Sequence, residues 1–323
     1  MKHMKMIPES LAVWLRKQRI EGEVEPLTGD ASFRTYYRLR EHGGRSTIVM
    51  DASAQPETVA PFVEISRRLG EAGVRTPHIY TFDAVRGYLW MEDLGSRHMA
   101  DLDWPAAAEV YRQAIDTIVR MQHASAEALP PYDRAFLLTE MALMQQWYLE
   151  KYLQISISPS MQSLLDEALR KITDIVLEQP QGCFVHRDFH SRNLMLDEAG
   201  ALVVIDFQDA RRGAVTYDLV SLLRDVYVVL EPSEVERLAL YFRQKQGIEA
   251  DEATFLRWFD FMGLQRHIKI MGIFARLALR DGKTGYLKDL PSTFGYIMET
   301  AEKYEETRPL ADLLARLHPE ERR

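Results

Sequence analysis

The chain has 323 residues, 46% of them apolar and 27% charged, the balance of a globular protein with room for a sizeable core in one large or two smaller domains. Its 40 lysines and arginines stand against 48 aspartates and glutamates; the net charge of −8 argues against a nucleic-acid binder, whose surface is normally basic. A single cysteine, Cys183, rules out an internal disulfide, and no apolar run reaches signal-peptide or membrane-spanning length, so the cytoplasm is the expected location and no membrane partner is expected.

Residues 8–20 predict a short amphipathic helix, with Leu11, Trp14, Leu15 and Ile20 toward one side. Strand-like runs follow near 24–28, 33–41 and 46–51, with Gly43-Gly44 as a hairpin turn. A helix is expected over 57–72, then two strands near 78–84 and 87–92 joined around Val85-Arg86-Gly87. After Gly95 the pattern changes to long helical periodicities over about 104–124, 135–154 and 160–178. A loop-and-strand region spans 180–213, and helices return at about 216–230, 233–246, 251–281 and 292–306. The division expected is a β-rich lobe over 1–94 and a mostly helical lobe over 95–323, with a hinge at Glu92-Asp93-Leu94-Gly95. Clefts between lobes are the usual place for small-molecule sites.

The chemistry concentrates in His186-Arg187-Asp188-Phe189-His190-Ser191-Arg192-Asn193 and in Val204-Ile205-Asp206-Phe207-Gln208-Asp209. An aspartate follows a histidine by two, an asparagine follows that aspartate by five, and a second aspartate ends an apolar strand thirteen residues later. Phosphoryl transfer explains such a set. It needs a carboxylate to orient and deprotonate the attacking hydroxyl, and hard oxygen ligands for the magnesium that neutralises the phosphates. Asp188 is the candidate base; Asn193 and Asp206 are the candidate Mg2+ ligands. Each residue alone is a common turn former; the spacing, with strand patterns on both sides, carries the signal.

The first segment resembles the catalytic loop of the protein-kinase superfamily, and Asp206-Phe207-Gln208 resembles its metal-binding motif. With Tyr217-Asp218-Leu219 and the helical remainder, the chain is similar to the aminoglycoside phosphotransferase branch. Within it, Leu27 through Arg34, Ile48 through Ala52, Glu92 through Gly95, His186 through Leu196, Ile205 through Asp209, Thr216 through Asp225, and Ile273 through Arg276 with Arg280 through Lys283 resemble the anomeric N-acetylmuramate/N-acetylglucosamine kinases of bacterial cell-wall recycling. The resemblance implies an α+β, protein-kinase-like two-lobed fold, ATP and Mg2+ as cofactors, and phosphorylation of the anomeric hydroxyl of an amino sugar. It leaves open a different small-molecule acceptor and a catalytically weak nucleotide-binding scaffold. No oligomeric state follows from it.

Further roles follow from position within that resemblance. Gly29, Ala31 and Ser32 fall where kinases fold a loop over the phosphates, and small side chains let backbone N–H groups approach; an ordinary turn is the alternative. Glu92 and Leu94 in the hinge are expected beside the nucleotide. His186 is expected to be structural. Asp218 reads either as a helix cap or as a brace for the catalytic loop. His190, Arg192 and Asp209 flank the base and the metal ligand and are candidates for substrate contact. The third strand normally carries a phosphate-pairing lysine; here Met50 stands about there, so either Arg34 or Arg38 substitutes or magnesium and backbone donors suffice. Arg266, His267, Lys269, Arg276 and Arg280 load one helix with cations, which reads as a solvated face, or, through Arg266, Lys269 and Arg276, as a stripe receiving an anionic sugar substituent. Trp258, Phe259 and Phe261 read as core, and Cys183 as a buried structural thiol.

Overall fold

The computed structural model describes residues 7–20, 22–27, 34–41, 43–103 and 107–318. Among these the elements run α1 (Glu9–Lys17), β1 (Glu23–Leu27), β2 (Thr35–Arg40), β3 (Ser46–Asp51), α2 (Val59–Glu71), β4 (Ile79–Asp83) and β5 (Tyr88–Glu92). Then come α3 (Ala107–Gln122), α4 (Arg134–Leu143), α5 (Pro159–Glu178), β6 (Cys183–Val185), β7 (Leu194–Leu196), β8 (Leu202–Val204) and β9 (Arg211–Gly213). The chain closes with α6 (Tyr217–Leu223), α7 (Pro232–Gln246), α8 (Glu252–Asp281), α9 (Leu290–Lys303) and α10 (Arg308–Leu317).

The described residues form two compact units. The first draws on Met1–Asp101 and Asn193–Gln208, the second on Leu102–Arg192 and Asp209–Arg323. The expected division at 94 differs from this one for a physical reason. Arg97 and Arg75 offer their carbonyls to Leu196 N–H and Val204 N–H, each at 2.9 Å, and the Arg75 guanidinium bridges Glu92 and Asp197. These bonds attach the β7–β8 hairpin to the first unit.

In that unit an antiparallel sheet of order β1-β2-β3-β5-β4 carries different cores on its two faces. Strand alternation puts Tyr37, Val49, Tyr88 and Trp90 on one face, where they pack with Leu11, Trp14 and Leu15 of α1; Tyr88 OH also donates to Ser10 at 2.8 Å. The opposite face presents Met50, paired with Tyr36 on β2 and Leu89 on β5. β1 contains Pro26, which an edge strand tolerates because one side of its backbone has no ladder partner.

The second unit is built on α8, thirty residues long, which lies against α4, α5, α6 and α9. Gly272 permits that packing: a Cβ there would sit 2.2 Å from the Leu143 carbonyl carbon. At the same point the helix that begins as α4 widens to π winding over Met144–Tyr152. Phe259 and Phe261 are buried as expected of core, and Trp258 is half-buried. The helix expected over 216–230 stops at Leu223, because Asp225 turns back to bond Ser191 of the 186–193 loop, and α7 restarts after Glu231 at Pro232. The short amphipathic α10 lies beyond the last helix expected from the sequence.

Candidate active site

The catalytic-loop candidates of the second unit leave β6, which pairs antiparallel with β9, and enter a loop pegged at both ends by buried carboxylates. Asp218, at the start of α6, accepts His186 N–H at 2.8 Å and Arg187 N–H at 3.0 Å. Asp225 accepts Ser191 N–H at 2.9 Å and Ser191 O–H at 2.5 Å. His186 is fully buried, and its Nδ1 accepts the Asp188 N–H at 3.2 Å. Arg187 is held at φ +81°, a left-handed conformation that a non-glycine residue adopts only when its surroundings impose it. Burial pushes the Asp218 carboxyl up to about 6, against the pull of His186 and of the two N–H groups.

Behind the loop lies a buried polar network. Glu140 of α4 receives Arg187 Nη2 at 2.7 Å, accepts a hydrogen bond from Tyr132 OH, and faces Lys269 Nζ at 3.6 Å. Lys269 donates to Tyr217 OH at 2.8 Å. Arg266, His267 and Lys269 are all nearly fully buried, so the solvated-face reading of this part of α8 is wrong. The cations face the interior of the second unit, and the helical period that suggested a surface instead places them against α4 and α6. Arg276 is half-buried, and exposed Arg280 pairs with Asp281 at 2.7 Å.

These charges act on Asp188. Burial alone would raise its carboxyl, but Lys269, His190, Arg266 and Arg187 overcome burial and hold it at about 2, ionised throughout the neutral range. The ring of His190 lies 5.2 Å from that of Tyr227, and burial lowers its basicity although Asp225 and Asp188 oppose this, leaving it neutral at pH 7. Arg192 stacks its exposed guanidinium 3.7 Å over the Tyr227 ring. Asp209 is exposed in the turn before β9. Cys183 has its thiol pushed up to about 11 by burial and by Asp218, so it carries no thiolate at neutral pH.

The metal-ligand candidates belong to the first unit. β7 ends the excursion that begins at Asn193, and β8 runs into Asp206, whose φ of +62° turns its carboxylate out of the strand into solvent. Ile205 N–H bonds the Asn193 carbonyl at 3.1 Å, which fixes the two residues side by side. Asn193 Nδ2 lies 3.4 Å from one Asp206 oxygen, and Gln208 Nε2 donates to the other at 2.8 Å. An amide flip would present the Asn193 oxygen instead. A carboxylate and an amide oxygen together suit magnesium, which completes its shell with phosphate oxygens and water. Phe207 is buried and packs, tilted, against Phe62 of α2 with ring centres 4.7 Å apart, anchoring the segment.

Also in this unit, Met50 is completely buried. Arg38 is committed to Asp93, at 2.6 and 3.0 Å. Arg34 lies 5.9 Å over the Phe62 ring, and its charge and that of Asp206 both reach Tyr36. Glu64, on α2, is spent on Arg67 and Arg68. The Glu92 carboxylate holds Arg75 at 2.8 Å and His78 N–H at 3.0 Å, and the Glu92 N–H donates to the His78 carbonyl at 2.8 Å; Leu94 is half-buried. Gly29, Ala31 and Ser32 lie outside the described residues.

Sequence reasoning gave no individual role to Asp225 or Glu140, and it placed Lys269 on a solvated face or an anion-binding stripe, not in a buried network with Glu140 and Tyr217. Their partners lie 34, 47 and 52 residues away, and no local pattern announces such pairs.

Comparison with known proteins adds the following. The sequence profile of the phosphotransferase enzyme family matches residues 23–254. A protein of Pseudomonas aeruginosa named N-acetylmuramate/N-acetylglucosamine kinase is 39% identical over 303 residues, covering 92% of this chain and 89% of the relative. One of the same name from Neisseria meningitidis is 36% identical, covering 89% of this chain and 88% of the relative. Among solved structures, the aminoglycoside phosphotransferase APH(2'')-Ib bound to ADP superposes with a TM-score of 0.64 at 15% identity, covering 91% of this chain and 99% of that one. The spectinomycin phosphotransferase APH(9)-Ia, in complex with ADP and spectinomycin, gives a TM-score of 0.61 at 12% identity, over 97% of this chain and 100% of that one. At those identities the likeness speaks for a protein-kinase-like fold alone.

Proposed function

Because this chain belongs to the phosphotransferase enzyme family, we propose that it is an ATP-dependent kinase that phosphorylates the anomeric hydroxyl of N-acetylmuramate and N-acetylglucosamine, in cell-wall recycling and in the cytoplasm. The observation that carries the chemistry is the ionised Asp188 at the centre of a loop pegged by Asp218 and Asp225. The relatives' shared name carries the acceptor.

In this reading Asp188 accepts a hydrogen bond from the acceptor hydroxyl, aims its oxygen and takes its proton as the new phosphate bond forms. Asn193 and Asp206 hold Mg2+, which, when bound, neutralises the phosphates of ATP. The first strand pair, with Gly29, Ala31 and Ser32, covers those phosphates, and main chain near Glu92 and Leu94 borders the base. His190, Arg192 and Asp209 line the acceptor side; His186 and Asp218 keep the loop rigid.

The missing third-strand lysine is consistent with a complete enzyme. Met50 fills an apolar position between Tyr36 and Leu89, and Arg34, with Asp206 in the same unit, is the cation best placed to serve in a lysine's stead. Met50→Lys is therefore expected to leave turnover unimproved and to lower the thermal midpoint, because a buried ammonium without a carboxylate pays desolvation. Steady-state rates with saturating sugar and thermal melts check this; a gain of about tenfold or more would mean that a phosphate stabiliser had been missing.

The functional reading is tested by ATP consumption with N-acetylmuramate, N-acetylglucosamine and an aminoglycoside, followed by phosphorus NMR of the product. Turnover of the two sugars to a sugar 1-phosphate is expected. A 6-phosphate, or turnover of the aminoglycoside alone, would overturn it.

A further inference from the structure

Arg266 sits in the middle of α8 and is nearly fully buried, at 3% exposure. Among the described residues its Nε and Nη1 have no hydrogen-bond partner. This contrasts with its neighbour one turn along, Lys269, which reaches Tyr217 OH at 2.8 Å and faces Glu140. A buried guanidinium with unanswered donors is costly to keep, since each lost hydrogen bond to water is replaced by nothing. Such a group persists in a folded protein when something outside the chain completes it.

The surroundings say where that partner enters. The charge of Arg266 acts on Asp188, on His190 and on the Tyr227 hydroxyl, all in the same unit. Each of those three side chains is only half-buried, so solvent reaches the cluster on which the charge of Arg266 acts. Asp188 is also the proposed base, which places the reacting hydroxyl beside the same cluster. Resting on the functional reading above, we infer that Arg266 is the specificity-determining residue for the acceptor and receives its carboxylate. N-acetylmuramate carries a lactyl ether on C3, two ring carbons from the anomeric carbon, and N-acetylglucosamine has a hydroxyl there. The planar fork of arginine matches a carboxylate, and its weaker hydration makes it the cation of choice for a buried pair. His190, neutral at pH 7, adds no cation to compete with Arg266 for that carboxylate.

The experiment compares kcat/KM for the two sugars in the unmodified chain, Arg266→Met and Arg266→Gln, with thermal melts. Methionine keeps the length and removes the buried charge, and glutamine keeps polarity, so one variant serves if the other fails to fold. The ratio of N-acetylmuramate to N-acetylglucosamine efficiency is expected to fall by about 10–100-fold, the worth of a hydrogen bond to a charged group, chiefly through KM for N-acetylmuramate. Arg266→Lys should recover part of the ratio. The carboxamide analogue of N-acetylmuramate should be a poorer substrate than the acid for the unmodified chain and an equal one for Arg266→Met. Parallel losses on both sugars would overturn the inference and place Arg266 at the phosphoryl group or in the fold, and an unchanged ratio would overturn it as well. An unmodified chain inert on both sugars would instead sink the functional reading on which the inference rests.

Discussion

Asp188→Asn is expected to lower turnover by about 10²–10⁴-fold, the range of general-base assistance, while nucleotide affinity changes only a few-fold. Asparagine keeps the shape of the side chain and removes its charge. The loop keeps its conformation in the variant, because its pegs are main-chain bonds to Asp218 and Asp225 and do not involve the Asp188 carboxylate. What disappears is the acceptor for the hydroxyl proton. A second consequence concerns pH. The Asp188 carboxyl, held at about 2 by Lys269, His190, Arg266 and Arg187 against its burial, is deprotonated over the whole working range. Taking away Lys269, Arg266 or Arg187 would raise its proton affinity, whereas His190, neutral at pH 7, adds its pull only at acid pH. The unmodified chain should therefore show no acid limb from this residue above about pH 4. Single-turnover rates against pH, with nucleotide titrations, check both statements. Activity of the variant within about a factor of two of the unmodified chain would remove Asp188 from the role.

Loss of the Asp206 carboxylate is expected to abolish the magnesium dependence of nucleotide binding and to cost turnover at least the about 10²–10³-fold seen when one electrostatic stabiliser of an oxyanion is deleted. Asp206 is exposed two residues beyond β8 and is the only carboxylate of the Asn193–Asp206 pair. Its φ of +62° complicates the choice of variant. Alanine strains in the left-handed region, whereas asparagine visits it readily. Asp206→Asn thus separates the charge from the backbone, and Asp206→Ala should add a stability loss to the same binding defect. Nucleotide titrations with and without magnesium decide the matter. An undiminished magnesium effect in Asp206→Asn would show that the ion is held elsewhere.

Both predictions concern residues visible in the sequence, because the spacing of Asp188, Asn193 and Asp206 is dictated by one loop and one short hairpin. Local signals of this kind survive translation into structure. The first strand, the hairpin at Gly43-Gly44 and the amphipathic stripe of α1 were legible for the same reason: turn chemistry and side-chain period act within a few residues. Even the absent lysine was a sequence fact, and the structure supplied its context by burying Met50.

Whatever depended on distant pairing had to wait for the tertiary structure. The charged run on α8 has the composition of a solvated face, and nothing within the helix says otherwise. Only α4 and α6, brought up against it, turn Lys269 into a partner of Glu140 and Tyr217 and leave Arg266 buried with donors to spare. The same holds for Asp225, which ends α6 early to hold Ser191, and for the β7–β8 hairpin, which joins the first unit through carbonyls of Arg75 and Arg97. A helical or strand period specifies which residues share a face. It carries no information on whether that face meets water or another element, because burial is decided by contacts between segments far apart in the chain.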